Sequence, residues 1–278
     1  MRVLVAKTAG YCYGVKRATR MAFEAAAGSR GPVHSLGAVI HNPQVVGELR
    51  KAGVRIAASP AAVKEGTAII AAHGRPAADI DDLVGRGISV VDATCPHVKL
   101  PQRRIAQLAR EGFLIVLLGD ADHPEVQSVA SYAGGARVII VSDAANLPDL
   151  GGVEKVGVVV QTTQSKARFD ALVKALRKRV EHVEAHDTIC RATKDRQAEA
   201  KRLAGRVDAM VVLGGRDSAN TRRLCEISRA RCPRTWQIES AAELKKLRFK
   251  KTDTVGVTAG ASTPEHVIKE VVARLEAM

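Results

Sequence analysis

Five cysteines punctuate a chain of 278 residues, and three of them, Cys12, Cys95 and Cys190, fall in short polar or glycine-containing segments at comparable separations. None of the five belongs to the close pairs of a zinc ribbon or to the tight run of a bacterial ferredoxin. An odd number spread widely, behind an N-terminus with too short an apolar run for an export signal, argues for reduced thiols or metal ligands over a disulfide framework. Three distant thiolates could hold a cubane cluster and leave one iron without a protein ligand, the open position that substrate activation requires; coincidence among five cysteines is the competing explanation of the spacing. Cys225 lies beside Leu224 in a helical stretch and Cys232 precedes Pro233 at its end, so both read as buried or incidental thiols.

A second group of residues stands at helix starts. His41-Asn42-Pro43 and His123-Pro124-Glu125 each place proline where the first helical residue belongs, so each histidine sits at or just before a helix N-terminus. Ser262-Thr263-Pro264-Glu265 repeats the device with a hydroxyl, and Ser218-Ala219-Asn220-Thr221 offers capping groups ahead of a helix over Arg222 to Arg231. Free N–H groups and the positive end of the helix dipole make such termini anion sites, with phosphate the usual occupant. Taken singly, Ser218, Asn220 and Ser262 need only be caps, and His41 or His123 need only be structural. Gathered in one cleft with His73 of Ala72-His73-Gly74, they make a diphosphate-sized set of donors. Glu125 is the one carboxylate beside these groups in its turn and so the natural proton donor, against the simpler role of complementing its helix dipole.

Elements that would position these residues are legible in the hydropathy pattern. Val3 to Ala6, Ala68 to Ala72, Val90-Val91, Leu114 to Leu118, Val156 to Val160, Ala209 to Leu213 and Val255 to Val257 are short apolar runs ending in polar or glycine-containing tips, which read as buried strands. Between them lie amphipathic helices. One spans Ser165 to Val180, with Ser165 as cap and Phe169, Leu172, Val173, Leu176 and Val180 on one face; another runs from Pro264 with Val267, Ile268, Val271, Val272 and Leu275 inward. Alternating strands and helices predict an α/β fold with parallel sheets, in which ligands bind beyond the carboxyl ends of the strands. With 3% aromatic residues, the core must be built from Val, Ile, Leu and Ala. Three small lobes, each offering a cysteine to a common centre, would account for the cysteine spacing.

Charge and hydropathy narrow the function classes. The net charge of +14 is spread over helix faces with few aromatics beside it, a pattern of solvated surfaces first, an acidic protein partner second and nucleic acid a distant third. No stretch approaches the apolar length of a membrane span, and the expected location is the cytoplasm with no membrane partner.

Nine segments go beyond generic pattern. In order they are Gly10-Tyr11-Cys12-Tyr13-Gly14-Val15, Val39-Ile40-His41-Asn42, Ala72-His73-Gly74, Asp92-Ala93-Thr94-Cys95-Pro96, Gly119-Asp120-Ala121-Asp122-His123-Pro124-Glu125-Val126, Gln161-Thr162-Thr163, Thr188-Ile189-Cys190-Arg191-Ala192-Thr193, Asp217-Ser218-Ala219-Asn220-Thr221 and Thr258-Ala259-Gly260-Ala261-Ser262. Together they resemble the signature segments of the 4-hydroxy-3-methylbut-2-enyl diphosphate reductases over essentially the whole chain. The resemblance implies a trefoil of three α/β lobes, 13–95, 96–188 and 189–265, completed by segments 1–12 and 266–278, around a central [4Fe-4S] cluster. It implies Cys12, Cys95 and Cys190 as cluster ligands, His41, His73, His123, Ser218, Asn220 and Ser262 as diphosphate ligands, and Thr162 and Glu125 as the groups serving the substrate hydroxyl and its protonation. An acidic ferredoxin or flavodoxin is the implied electron donor. One departure stands out: the family's Asn-Ser-Ser-Asn reads Asp217-Ser218-Ala219-Asn220 here. Two other functions compete, a zinc hydrolase using His41, His73, His123 and Glu125, and a basic RNA-binding protein.

Overall fold

The computed structural model describes residues 1–278 and contains three four-stranded sheets, every one of them parallel throughout. The first holds β2 (Val33–Leu36), β3 (Val54–Ala57), β4 (Thr67–Ile70) and β5 (Ser89–Asp92), in the order β3-β2-β4-β5. The second holds β6 (Leu114–Leu118), β7 (Val138–Val141), β8 (Lys155–Val160) and β9 (His182–His186), in the order β7-β6-β8-β9. The third holds β10 (Ala209–Leu213), β11 (Thr235–Ile238), β12 (Thr254–Ala259) and, from the start of the chain, β1 (Arg2–Val5), in the order β11-β10-β12-β1. One topology is thus used three times. In each lobe a short 3-10 turn follows the second strand, at Pro60–Ala62, Ala144–Asn146 and Ala241–Lys246.

Strand chemistry follows strand position. Inner strands such as β4 and β8 lie between two neighbours and under helices, so their sequences TAII and KVGVVV are apolar almost throughout and buried. Edge strand β9, HVEAH, has one open flank and side chains that are half-buried or, at His182, exposed, which is why it carries charge.

Nine α-helices connect the strands: α1 (Tyr13–Gly28), α2 (Pro43–Lys51), α3 (Ala77–Gly85), α4 (Pro96–Arg110), α5 (Pro124–Ser131), α6 (Lys166–Leu176), α7 (Arg191–Ala204), α8 (Ala219–Arg229) and α9 (Glu265–Glu276). Several boundaries differ from the sequence expectation, two of them, both in helices, by three residues or more. Ser165 does cap α6, accepting from the Arg168 N–H at 3.2 Å, but the helix stops at Leu176; Val180 is buried beyond it, past a closing turn. Helix α8 begins at Ala219, three residues before the expected start, so Asn220 and Thr221 lie inside its first turn.

By internal contacts the chain forms two compact units, one of residues Met1–Lys16, His41–Val45 and Arg191–Met278, the other of Arg17–Ile40 and Val46–Cys190. In the first, α9 lays Val267, Ile268, Val271 and Leu275 over the third sheet. In the second, α4 leaves β5 and packs on β6 and β8, where Gly157 lets Leu108 sit against the strand: a Cβ there would lie 2.7 Å from the leucine Cδ1. No helix is long and apolar enough to cross a membrane.

Candidate active site

Every candidate site residue named above lies at or just beyond a strand's carboxyl end or at a helix N-terminus. The three cysteines occupy equivalent places. Each follows the fourth strand of its sheet (β1, β5 or β9), each immediately precedes a helix (α1, α4 or α7), and each donates its backbone N–H to a carbonyl at the tip of the adjoining third strand. Cys12 N–H reaches Ala261 O at 3.2 Å, Cys95 N–H reaches Ala72 O at 2.9 Å, and Cys190 N–H reaches Thr162 O at 3.1 Å. All three are half-buried, whereas Cys225 and Cys232 are buried and burial pushes both thiols above the ordinary cysteine value. Three partly exposed sulfurs in repeated settings fit a soft, multi-thiolate group; the two buried thiols do not.

Within the first unit His41, Ser218, Asn220 and Ser262 are brought to adjoining tips. The cap of α2 is Asn42 rather than His41, its Oδ1 accepting from the N–H groups of Gln44 and Val45, both at 3.1 Å. His41 is anchored from behind, because the Ser262 hydroxyl donates to its carbonyl at 3.0 Å. Gly215 makes that approach possible: a Cβ there would lie 2.8 Å from His41 O. Burial lowers the His41 pKa below the ordinary imidazole value, with exposed Asp217 opposing and Arg222 reinforcing the shift, so near pH 7 the ring is neutral and retains one N–H donor. Ser218 caps α8 by accepting from Thr221 N–H. Asn220 is buried with its Nδ2 lacking any protein acceptor, a donor in need of a ligand. Ala219, for its part, is a first-turn residue whose backbone N–H stays at the helix end despite its missing hydroxyl.

The second unit supplies the acid. Glu125 is buried in the first turn of α5, where its carboxylate accepts from Thr162 N–H at 2.7 Å and from the Thr162 hydroxyl at 2.9 Å. Burial raises its pKa from 4.5 to about 7; Asp120 adds to the rise and the two Thr162 bonds oppose it. A carboxyl group that titrates near neutrality can hold and release a proton under working conditions. His123 caps the same helix with Nδ1 accepting from Glu125 N–H at 3.1 Å, which leaves Nε2 as the donor in the neutral ring. His73, at the tip of β4, faces His123 edge-on, with ring centroids 6.4 Å apart.

Sequence inspection missed the support beneath His73. Gln102 of α4 donates to the Ser128 hydroxyl of α5 at 2.9 Å, and Ser128 donates to Arg75 O at 3.0 Å. Gly74 closes over them with φ of 81°, and a Cβ there would meet Ser128 Oγ at 2.7 Å and Gln102 Nε2 at 2.9 Å. Gly74→Ala is therefore expected to destabilise the fold by about 2–3 kcal/mol, from a left-handed backbone combined with overpacking, as measured by urea unfolding. The only earlier signal was a glycine after a histidine at a strand end.

Within either unit no three His, Cys, Asp or Glu side chains converge on a point fit for a single ion, and His73, His123 and Glu125 make no such set.

Comparison with known proteins follows the same lines. The family described as LytB protein matches residues 3–276. Over 278 residues the chain is 47% identical to the 4-hydroxy-3-methylbut-2-enyl diphosphate reductase of Geobacter sulfurreducens, covering 99% of this chain and 97% of that one. Its counterpart from Trichlorobacter lovleyi is 48% identical over 276 residues, covering 99% and 98%. Among solved structures, that of an (E)-4-hydroxy-3-methyl-but-2-enyl diphosphate reductase, the terminal enzyme of the non-mevalonate pathway, shares 41% identity with a TM-score of 0.73 and full coverage of both chains, 100% each. The Plasmodium falciparum E-1-hydroxy-2-methyl-but-2-enyl-4-diphosphate reductase superposes with a TM-score of 0.90 at 25% identity, covering 98% of this chain and 87% of its own. With the match running nearly from end to end, this chain belongs to the LytB family.

Proposed function

We propose that this protein is a 4-hydroxy-3-methylbut-2-enyl diphosphate reductase that removes the allylic hydroxyl with two electrons and two protons, giving isopentenyl and dimethylallyl diphosphates and one water. Full-length similarity to enzymes of that name supports the assignment. The observation that carries it further is the threefold repeat of a half-buried cysteine at a sheet tip, combined with a buried acid that titrates near neutrality. Cys12, Cys95 and Cys190 would hold a [4Fe-4S] cluster. When bound, that cluster supplies the electrons and, at an iron without a protein ligand, Lewis acidity towards the hydroxyl.

The chain's own residues do the rest. His41, His73, His123, Ser218, Asn220 and Ser262 hold the diphosphate through side-chain donors and helix-terminal N–H groups, and this binding orients the reacting carbon. Glu125, shared with the Thr162 hydroxyl, delivers the proton that leaves with the departing oxygen. The second proton goes to the allylic carbon from a diphosphate oxygen of the substrate. We place the protein in the cytoplasm, where its five cysteines stay reduced, and assign three lobes bounded at 13–95, 96–188 and 189–265. A net charge of +14 suits an acidic ferredoxin or flavodoxin as donor rather than nucleic acid.

Anaerobic reconstitution with iron and sulfide, followed by assay with the allylic diphosphate and a chemical reductant, tests the assignment. Brown protein that forms both products is the expected result. Colourless protein, or brown protein inert towards this substrate, would overturn it.

A further inference from the structure

The three cysteine tips share a place in the fold but not the same connection to it. Between β5 and Cys95 lie only Ala93 and Thr94, and between β9 and Cys190 lie Asp187, Thr188 and Ile189. Both are closed by an aspartate of their own: Asp92 Oδ1 accepts from Thr94 N–H at 3.0 Å, and Asp187 Oδ1 accepts from Ile189 N–H at 3.2 Å. Such local side-chain-to-backbone turns fix the chain from within the tip, and they are joined by Arg17 Nη1 donating to Thr94 O at 3.2 Å and by the Thr188 hydroxyl paired with the Val160 backbone. Six residues, 6–11, separate β1 from Cys12, and none is acidic. A longer connection with no turn-forming carboxylate has more conformational freedom to lose.

Helix α7 supplies what this tip lacks. The carboxylate of Glu199 accepts from Lys7 N–H at 2.8 Å and from Thr8 N–H at 2.7 Å. One turn earlier Arg196, a buried guanidinium, donates to Thr8 O and to Gly10 O, each at 2.7 Å. These four bonds hold the segment from both its donors and its acceptors, and Gly10, at φ of 98°, then turns the chain towards Cys12. Both side chains reach the backbone of one loop, Glu199 while also pairing with Arg202 of its own helix at 3.5 Å.

We infer that Glu199 and Arg196 are positioning residues for Cys12, doing from a distant part of the sequence what Asp92 and Asp187 do locally for Cys95 and Cys190. The inference rests on the proposed cluster ligation for its purpose, but its test does not need the cluster.

The test is site-resolved alkylation of the full chain before reconstitution, with mass spectrometry following all five cysteines in wild type, Glu199→Gln, Arg196→Lys and the exposed control Lys201→Ala. Alkylation of Cys12 alone is expected to rise on the order of tenfold in the first two variants, as charge-assisted bonds to its loop are lost. The control should match wild type. An unchanged Cys12 rate overturns the inference, and so does parallel acceleration of buried Cys225 and Cys232, which would mark general loosening of the fold. After reconstitution, the same two variants should lose visible cluster absorbance to a chelator several-fold faster than wild type. If wild type takes up no cluster, the proposed ligation fails while the alkylation result stands on its own.

Discussion

Glu125→Gln is expected to lower turnover by about two to four orders of magnitude while iron content and substrate affinity stay near those of wild type. Glutamine keeps the shape of the side chain and can still accept from Thr162 N–H, so the pocket should survive. What it cannot do is give up an acidic proton. Single-turnover reduction of the allylic diphosphate by the reconstituted variant is the direct measurement, and a wild-type rate would remove Glu125 from the mechanism. The same residue predicts a pH dependence. Its folded value of about 7 lies above the ordinary 4.5, so its contribution to stability is complete below pH 4.5 and disappears as pH rises through 7. The difference is on the order of 3 kcal/mol between the two limits. Urea unfolding at acid and alkaline pH should show this slope in substrate-free wild type and not in Glu125→Gln; turnover should fall over the same interval as the acid is lost.

Serine at position 95 should leave the protein folded but without its cluster. Cys95 precedes α4 and its backbone is fixed by bonds that do not involve sulfur, namely its own N–H to Ala72 O and the Asp92 turn before it. Exchanging sulfur for oxygen therefore changes the ligand and little else, and a hard hydroxyl is a poor partner for iron and sulfide. Iron and sulfide analysis after reconstitution should give a near-complete loss for Cys95→Ser, and equally for Cys12→Ser and Cys190→Ser. Cys225→Ser should retain the cluster, since that thiol is buried beside Arg229 and raised by burial. Full occupancy in any of the first three would contradict the ligand assignment.

How far these features could be read before any coordinates depended on where each residue sits in its sheet. Of the twelve strands, the seven visible as apolar runs include five that lie inside their sheets, at β4, β6, β8, β10 and β12. Most of the strands that escaped notice are edges, such as Val54–Ala57 and His182–His186, whose open flank tolerates Arg55, His182 and Glu184. Inner strand β2 escaped for a different reason. Its Ser35 is buried with the hydroxyl donated to Gly37 O at 2.7 Å, so a polar residue interrupts the pattern without being exposed. The helix-start residues were legible because proline and capping chemistry are local. The roles of Thr162 and of the cysteine triplet came from resemblance, as no spacing rule ties residues so far apart. Arg196 and Glu199 were invisible for the same reason: their partners are the backbone of residues 7–10, between 186 and 192 residues away.

The pairing of β1 with β12 joins Arg2–Val5 to Thr254–Val257, so the first strand made is the last to find its neighbour. A ribosome must deliver everything between Val5 and Thr254 before that ladder can close, and contacts of such sequence separation form slowly. The two lobes built from contiguous sequence have no such wait. During synthesis Cys95 and Cys190 can be presented early, whereas the ladder beside Cys12 waits for β12, so a cluster held by all three, as proposed, would be completed only once that strand has been made.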